Sequence, residues 1–383
     1  MTFSILSTEL CNRLEMVSRV VNSKNVLPIL DNIIFSLEDG TLCLKASDSE
    51  NTLQTKMVAS TSEGNGTFAV NARNITEAIK NITVEQELTF NYDEKEAAVS
   101  VSYFSGMFTI PALNADEFPV SPSLNQDSIV SMQITDQMLG DNIGRTLFAT
   151  AQDELRPVMN GIFFDLKEGG LAVVASDGHQ LIRCMMTSIV PQKREDGTPI
   201  IGSFILPKKP AALLKNILGK TGQALTLSFD ERNLTVEAEN FTLTSRLIEG
   251  RYPNYNTVIP KDNPNVMRAD RLAMVAALKR ISPFSNGASN LIRMHVAENT
   301  AQFDAEDYEF NKKATERLAC DYNGKEMSIG FKGVSVIELL MNIKSTEVVA
   351  QMGDPSRAAL FLPSEQPDGE EILMLQMPML IND

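Results

Sequence analysis

A stretch of twenty-two residues recurs in this chain with nine positions identical. A shift of 129 positions lays Leu27–Asp48 (LPILDNIIFSLEDGTLCLKASD) over Arg156–Asp177 (RPVMNGIFFDLKEGGLAVVASD) without a gap. Pro28, Ile33, Phe35, Leu37, Gly40, Leu42, Ala46, Ser47 and Asp48 each meet the same residue type, in phase with a strand-turn-strand pattern. A repeat at that spacing is a duplicated domain, and 383 residues leave room for a third copy.

The order of elements recurs with the repeat. In the first copy Thr8 is a plausible N-cap before Leu10, Leu14, Val17 and Val21, one face of a helix. A second helix is expected from Arg73 to Ile82. The second copy has Asp136 as cap before Leu139, Ile143 and Leu147, then a helix from about Lys209 to Leu218. The third has Asp270 before Met274, Leu278 and Ile281, and a last helix ending at Asn342-Ile343. The fold class expected is therefore α+β. Three repeated domains, 1–123, 124–259 and 260–383, each pack two helices on about eight antiparallel strands.

Composition narrows the function. A net charge of −15 disfavours general adhesion to nucleic acid or anionic membranes. Cys11, Cys43, Cys184 and Cys320 form no CxxC or Cys/His cluster, so reduced thiols in a cytosolic protein are expected rather than disulfides, zinc or another cofactor. MTFSILSTEL is not a signal peptide, and no apolar run approaches the roughly 20 residues of a membrane helix. A cytoplasmic, soluble protein with no membrane partner is the expectation. Ser176-Asp177-Gly178-His179 invites a hydrolase reading, but a triad is assembled from separated positions, so catalysis is not expected.

The charge is unevenly spread. Six helical segments (8–21, 71–82, 136–150, 206–220, 270–281 and 331–344) hold 14 Lys or Arg against 7 Asp or Glu, so the remainder carries −22. Solvated helix faces commonly carry lysine, which is one account. The other is that the helices face a polyanion across an otherwise acidic protein. Lys or Arg contacts to phosphate are indifferent to base sequence.

Several short motifs, in order, carry a resemblance. They are Leu27–Leu30 (LPIL), Asn71-Ala72-Arg73, Arg156 with Asn160-Gly161, Ser176–His179, Gly250–Pro253 with Tyr255, and Met377-Pro378-Met379. Together they resemble the bacterial DNA polymerase III beta subunit, the beta sliding clamps, over essentially the whole chain. The resemblance implies a head-to-tail homodimer forming a six-domain ring, helices inside and sheets outside. Such a ring tethers a replicative polymerase to double-stranded DNA, without sequence specificity, chemistry or cofactor. The DNA-facing residues implied are Lys24, Arg73, Lys80, Lys208, Lys209, Lys215, Lys220, Lys279, Arg280, Lys332 and Lys344. The dimer joint maps to Phe108 and Ile110 on one side, and Pro283 and Phe284 on the other.

The resemblance also implies a pocket for short linear peptides of the polymerase, clamp loader and repair proteins. Its positions are Met159, Ser176, Gly178, His179, Gln180, Leu181, Pro253, Thr257, Val258, Lys332, Ser335, Ser356 and Ala358, with Leu375, Gln376, Met377, Pro378, Met379 and Leu380. Read without the family, Met377-Pro378-Met379 is better taken as a terminal strand plugging a core. Gln180 and Leu380 stand where many members carry Arg, and Thr257, Lys332 and Ser335 also differ, so an altered peptide preference is expected. The alternative function is an acidic protein-binding scaffold that never encircles DNA.

Overall fold

Strand-period alternation dominates the molecule: Leu291–Ala297 buries every second residue, Ile292, Met294 and Val296. The computed structural model describes residues 1–219 and 221–381. Six helices interrupt the strands: α1 (Ser7–Ser18), α2 (Ala72–Lys80), α3 (Asp136–Thr146), α4 (Lys208–Ile217), α5 (Arg271–Ile281) and α6 (Gly333–Asn342). The chain divides into two compact units, Met1–Met138 with Ala212–Leu247, and Leu139–Ala211 with the chain from Ile248 onward.

In the first unit, Leu10, Leu14 and Val17 of α1 and Ile75 and Ile79 of α2 are buried. All of its strands belong to one antiparallel sheet of 13 strands that joins two repeats. The joint pairs Phe241–Arg246 with Asn51–Val58 and sets Leu243 opposite Leu53. In the second unit a nine-stranded sheet runs through a joint of the same kind. Gln180–Met186 pairs with Glu370–Gln376, and Ile182 stands opposite Met374. Leu53, Leu243, Ile182 and Met374 all have zero exposure, so each joint is stitched through the core as well as by ladder bonds.

Two helix starts differ from expectation. α1 begins at Ser7 with no side-chain cap at Leu6, and the Thr8 hydroxyl donates to Glu85 Oε2 at 2.5 Å instead. Asp136 lies inside the first turn of α3; Thr135 Oγ1, not Asp136, accepts the Met138 N–H at 3.2 Å. The Asp136 carboxylate turns to the 221–222 loop, accepting from Thr221 N, Thr221 Oγ1 and Gly222 N at 3.1, 2.8 and 2.8 Å. Asp270 caps α5 as expected, accepting from Ala273 N at 2.7 Å.

Several strand edges stay open among the described residues, including those of two eight-residue strands. Gly106–Leu113 pairs along one side with Ala98–Tyr103, but meets Gly66–Asn71 only through Ala112 and Leu113. In the second unit, Lys312–Ala319 ends a four-stranded sheet and pairs only with Thr300–Asp307.

Candidate functional site

The repeated hairpin ends in a turn built by its own side chains. Ser176 Oγ donates to Gln180 O at 2.8 Å, and the N–H groups of His179 and Gln180 both donate to Asp177 Oδ1 at 2.8 Å. Ser47, Asp48 and Asn51 make the equivalent bonds in the first repeat. Ser-Asp is thus scaffold in both copies. Gly178, with φ +92°, needs the left-handed region, and a Cβ there would come 3.2 Å from Arg156 Nη1. Ser176 is committed to a backbone carbonyl, so the Ser-Asp-Gly-His run forms no nucleophile-base pair.

The turn is locked to the C-terminal strand. His179 O accepts the Met377 N–H at 2.8 Å, and Met379 N donates to Gly330 O at 2.8 Å, drawing the tail across the strand Met327–Lys332. Met377-Pro378-Met379 therefore lies beyond its strand, with Met377 38% exposed, and does not plug a core.

Beside this tail lies an open cavity of about 780 Å³ lined by residues 256–261 and 356–358 and by Met377. It gathers Thr257, Val258, Ser356, Ala358 and Met377 from the expected set. Met159, Leu181 and Leu375 are buried, and Leu181, Leu375 and Ala358 share one apolar cluster with Tyr252 and Tyr255. Ser176, Gly178, His179, Gln180, Pro253, Lys332, Ser335, Gln376, Pro378, Met379 and Leu380 are not on the cavity wall. Lys261 and Arg357 are, and Arg156 stands against Gly178. Lys261 and Arg357 belong to loops without periodicity and carry no signal in the sequence, and Arg156 is marked there only as part of a motif.

An aromatic group packs in the same cluster as Ala358. Phe163 stacks on Tyr252 with centroids 4.6 Å apart, and Tyr255 Oη donates to Asp165 Oδ2 at 3.1 Å. Burial, reinforced by the Asp165 carboxylate, pushes the Tyr255 phenol up to about 12, so it stays a donor at physiological pH. The bottom of the C-terminal strand is held by Arg145 of α3, whose Nη1 meets Glu370 Oε2 at 2.6 Å, with side chains 6% and 9% exposed.

The helix cations separate into two groups. Arg73 pairs with Glu77, Lys80 with Glu15, Lys344 with Asp141, and Arg280 makes two bonds to Glu316. Glu77, Glu15 and Asp141 already stand among the seven helix acids, so only Glu316 lowers the helix balance further. Lys24, Lys215, Lys279 and Lys332 are exposed, whereas Lys208 and Lys209 are half-buried. Burial lowers the Lys208 pKa. Lys220 lies outside the described residues. At the open edges Phe108 is half-buried and Phe284 is 40% exposed; Pro283 is exposed, while Ile110 is already 8% exposed within its own unit. No group of three or more His, Cys, Asp or Glu able to hold a metal occurs among the described residues, and none of their helices is long and apolar enough to cross a membrane.

Comparison with known proteins gives consistent matches. Three family models match in order: the DNA polymerase III beta subunit N-terminal domain over residues 1–122, its central domain over 133–254 and its C-terminal domain over 256–379. The beta sliding clamp of Haemophilus influenzae is 27% identical over 374 residues, covering 98% of this chain and 99% of that one. The beta sliding clamp of Pseudomonas aeruginosa is 25% identical over the same shares. Its crystal structure bound to griselimycin superposes with a TM-score of 0.92 at 25% identity, covering all of both chains. The Bacillus subtilis sliding clamp shares the fold at a TM-score of 0.89 and 21% identity, again over all of both chains.

Proposed function

Because the chain belongs to the DNA polymerase III beta subunit family, we propose that it is a DNA sliding clamp whose two copies close head to tail into a ring around duplex DNA. It is a tether and not a catalyst. By holding a polymerase to the template, it would turn a distributive enzyme into a processive one in the cytoplasm.

The observation that carries the ring is the pair of open edges. Ala46, Ala175 and Ala305 stand opposite Leu53, Ile182 and Ala314 in the three repeats, which makes Ala314 the counterpart of two core residues at joints. The ladders Leu227–Val236–Leu243 and Phe90–Val101–Phe108 likewise make Phe108 the counterpart of Leu243. At both joints within the chain those two positions face each other. Repeating the joint a third time sets Phe108 of one copy opposite Ala314 of the next, a heterologous contact that closes after two copies. Both residues are only half-buried in the single chain.

This register has a direct test. Facing strand residues lie within disulfide range, so Phe108→Cys with Ala314→Cys should oxidise to a covalent dimer, while Phe108→Cys alone should not. Cross-linking only with a shifted partner such as Glu316→Cys would overturn the register.

DNA would be met by Lys24, Lys215, Lys279 and Lys332, helped by those paired cations that can exchange a carboxylate for phosphate. The cavity at Val258, Ala358 and Met377 suits the apolar side chains of a short peptide from the polymerase, clamp loader or repair proteins. Methionine there adapts to differing partners. The acidic-scaffold alternative would instead give a protein that remains monomeric and is never retained on DNA.

A further inference from the structure

One position of the joint changes its chemistry from repeat to repeat. Four residues before Leu243, Met374 and Phe108, the matched positions of the joint strands, stand Glu239, Glu370 and Phe104. On the helix side, Leu10, Leu14 and Val17 of α1 match Leu139, Ile143 and Thr146 of α3 and Met274, Leu278 and Ile281 of α5, all buried. Two residues after the middle member of each set stand Met16, Arg145 and Arg280. At the second joint the two positions meet, because Glu370 holds Arg145 at 2.6 Å. At the first, Glu239 accepts from Gln223 instead, and Met16 has no charge to offer it.

At the open edges the same two positions are Phe104 and Arg280. Phe104 lies in the turn between Ala98–Tyr103 and Gly106–Leu113 and is 97% exposed. Its backbone is held, since the Phe104 N–H donates to Gln86 Oε1 at 2.7 Å. The turn residues Tyr103–Gly106 include no Asp, Glu, Lys or Arg. Arg280 commits the edge of its guanidinium to Glu316, with bonds of 2.7 and 3.0 Å to the two carboxylate oxygens, and its side chain is 58% exposed. A guanidinium bound in its own plane keeps its faces free for an aromatic ring. Two residues along the strand from Glu316, Leu318 is half-buried and packs against the core. Leu318 matches Met186, the residue opposite Glu370 at the second joint.

We propose that Phe104 is an anchor of the dimer: the ring of one copy lies on the Arg280 guanidinium and on Leu318 of the other, in the place where Glu370 holds Arg145 within the chain. The anchor rests on the head-to-tail dimer and the Phe108–Ala314 register proposed above. That register sets Phe104 opposite Leu318, and register, not charge, selects a second copy as the occupant. A ring suits this place because Arg280 already has its carboxylate. A second acid would compete with Glu316, whereas a ring adds apolar burial and a cation–π contact to the existing pair.

Sedimentation of the full chain tests the anchor. Phe104→Ala should raise the dimer Kd about tenfold or more, as for a buried aromatic anchor. Phe104 is uncovered in the single chain, so urea unfolding of the monomer should not change. The same substitution made in an Arg280→Ala background should cost about two- to fivefold less, the share of the cation–π contact. Phe104→Trp introduces a single tryptophan, since the chain has none; its emission should shift to the blue as concentration is raised through the dimer Kd. A wild-type dimer whose Kd Phe104→Ala leaves unmoved refutes the anchor and leaves the dimer standing. Strictly additive losses, or indole emission in the dimer that stays that of an exposed ring, refute the seat on Arg280. A wild-type chain that is monomeric at every concentration overturns the dimer and the anchor together.

Discussion

The Arg145–Glu370 pair gives the sharpest stability prediction. It sits almost fully buried at 2.6 Å, and Arg145 Nη1 is also 3.2 Å from Asn142 Oδ1. It ties α3 of the second repeat to the strand whose far end leads into Met377. Arg145→Met strands a buried carboxylate, and such losses cost roughly 3–5 kcal/mol. For a unit of about this size, each kcal/mol moves the midpoint by about 2–4 °C, so the melting transition should fall by roughly 10 °C. Arg145→Met with Glu370→Leu removes both charges and fills the volume, and should return to within about 1–2 kcal/mol of the parent or exceed it. Urea unfolding of the four chains in a double-mutant cycle measures this coupling. Additive losses would refute the view that the single-variant cost is an uncompensated buried charge.

Three further outcomes follow from the geometry. Burial alone would raise the Asp136 pKa, but hydrogen bonds from Thr221, Gln137 and Gly222 hold it below its ordinary value. Its contribution is therefore present above the ordinary carboxylate pKa of 3.8 and lost as pH falls through the depressed folded value. Asp136→Asn should lower stability at neutral pH, with the gap to wild type closing in acid; a pH-independent gap in calorimetry would contradict this. Gly178→Val forces a β-branched residue to φ +92° against Arg156, which should cost at least about 1–2 kcal/mol and weaken capture of a fluorescent clamp-binding peptide; unchanged affinity would detach the turn from the pocket. Lys24→Glu with Lys215→Glu should weaken DNA contact and flatten its salt dependence by nearly two units of slope, with the dimer unchanged in sedimentation; an unaltered slope would remove these two from the DNA-facing set.

Much of the fold was legible because repetition is written locally. Seven of the nine matched positions fall on the hairpin strands and the Ser-Asp, Gly40 in the connecting turn and Pro28 in the entry turn, all determined by neighbours within a few residues. What was hidden is non-local. Nothing in Phe241–Arg246 announces that it pairs with Asn51–Val58, and the carboxylate that holds Lys344 lies 203 residues away. Asp136 looks like a cap because caps are short acceptors before apolar runs; a loop 85 residues later competes for it and wins. The candidate pocket was legible in its apolar members, Val258, Ala358 and Met377, but not in Lys261, Arg357 or Arg156, which only the folded loops bring alongside. Ser176 lies off the cavity wall, and its hydroxyl shapes the turn.

The ring itself is tested most directly by topology. Protein loaded onto a closed circular duplex should stay bound through a wash in molar salt, which screens charges beyond about 3 Å, and should be released when the circle is cut once. Release from closed and cut circles at the same rate would show that charge alone holds it and would contradict an encircling clamp.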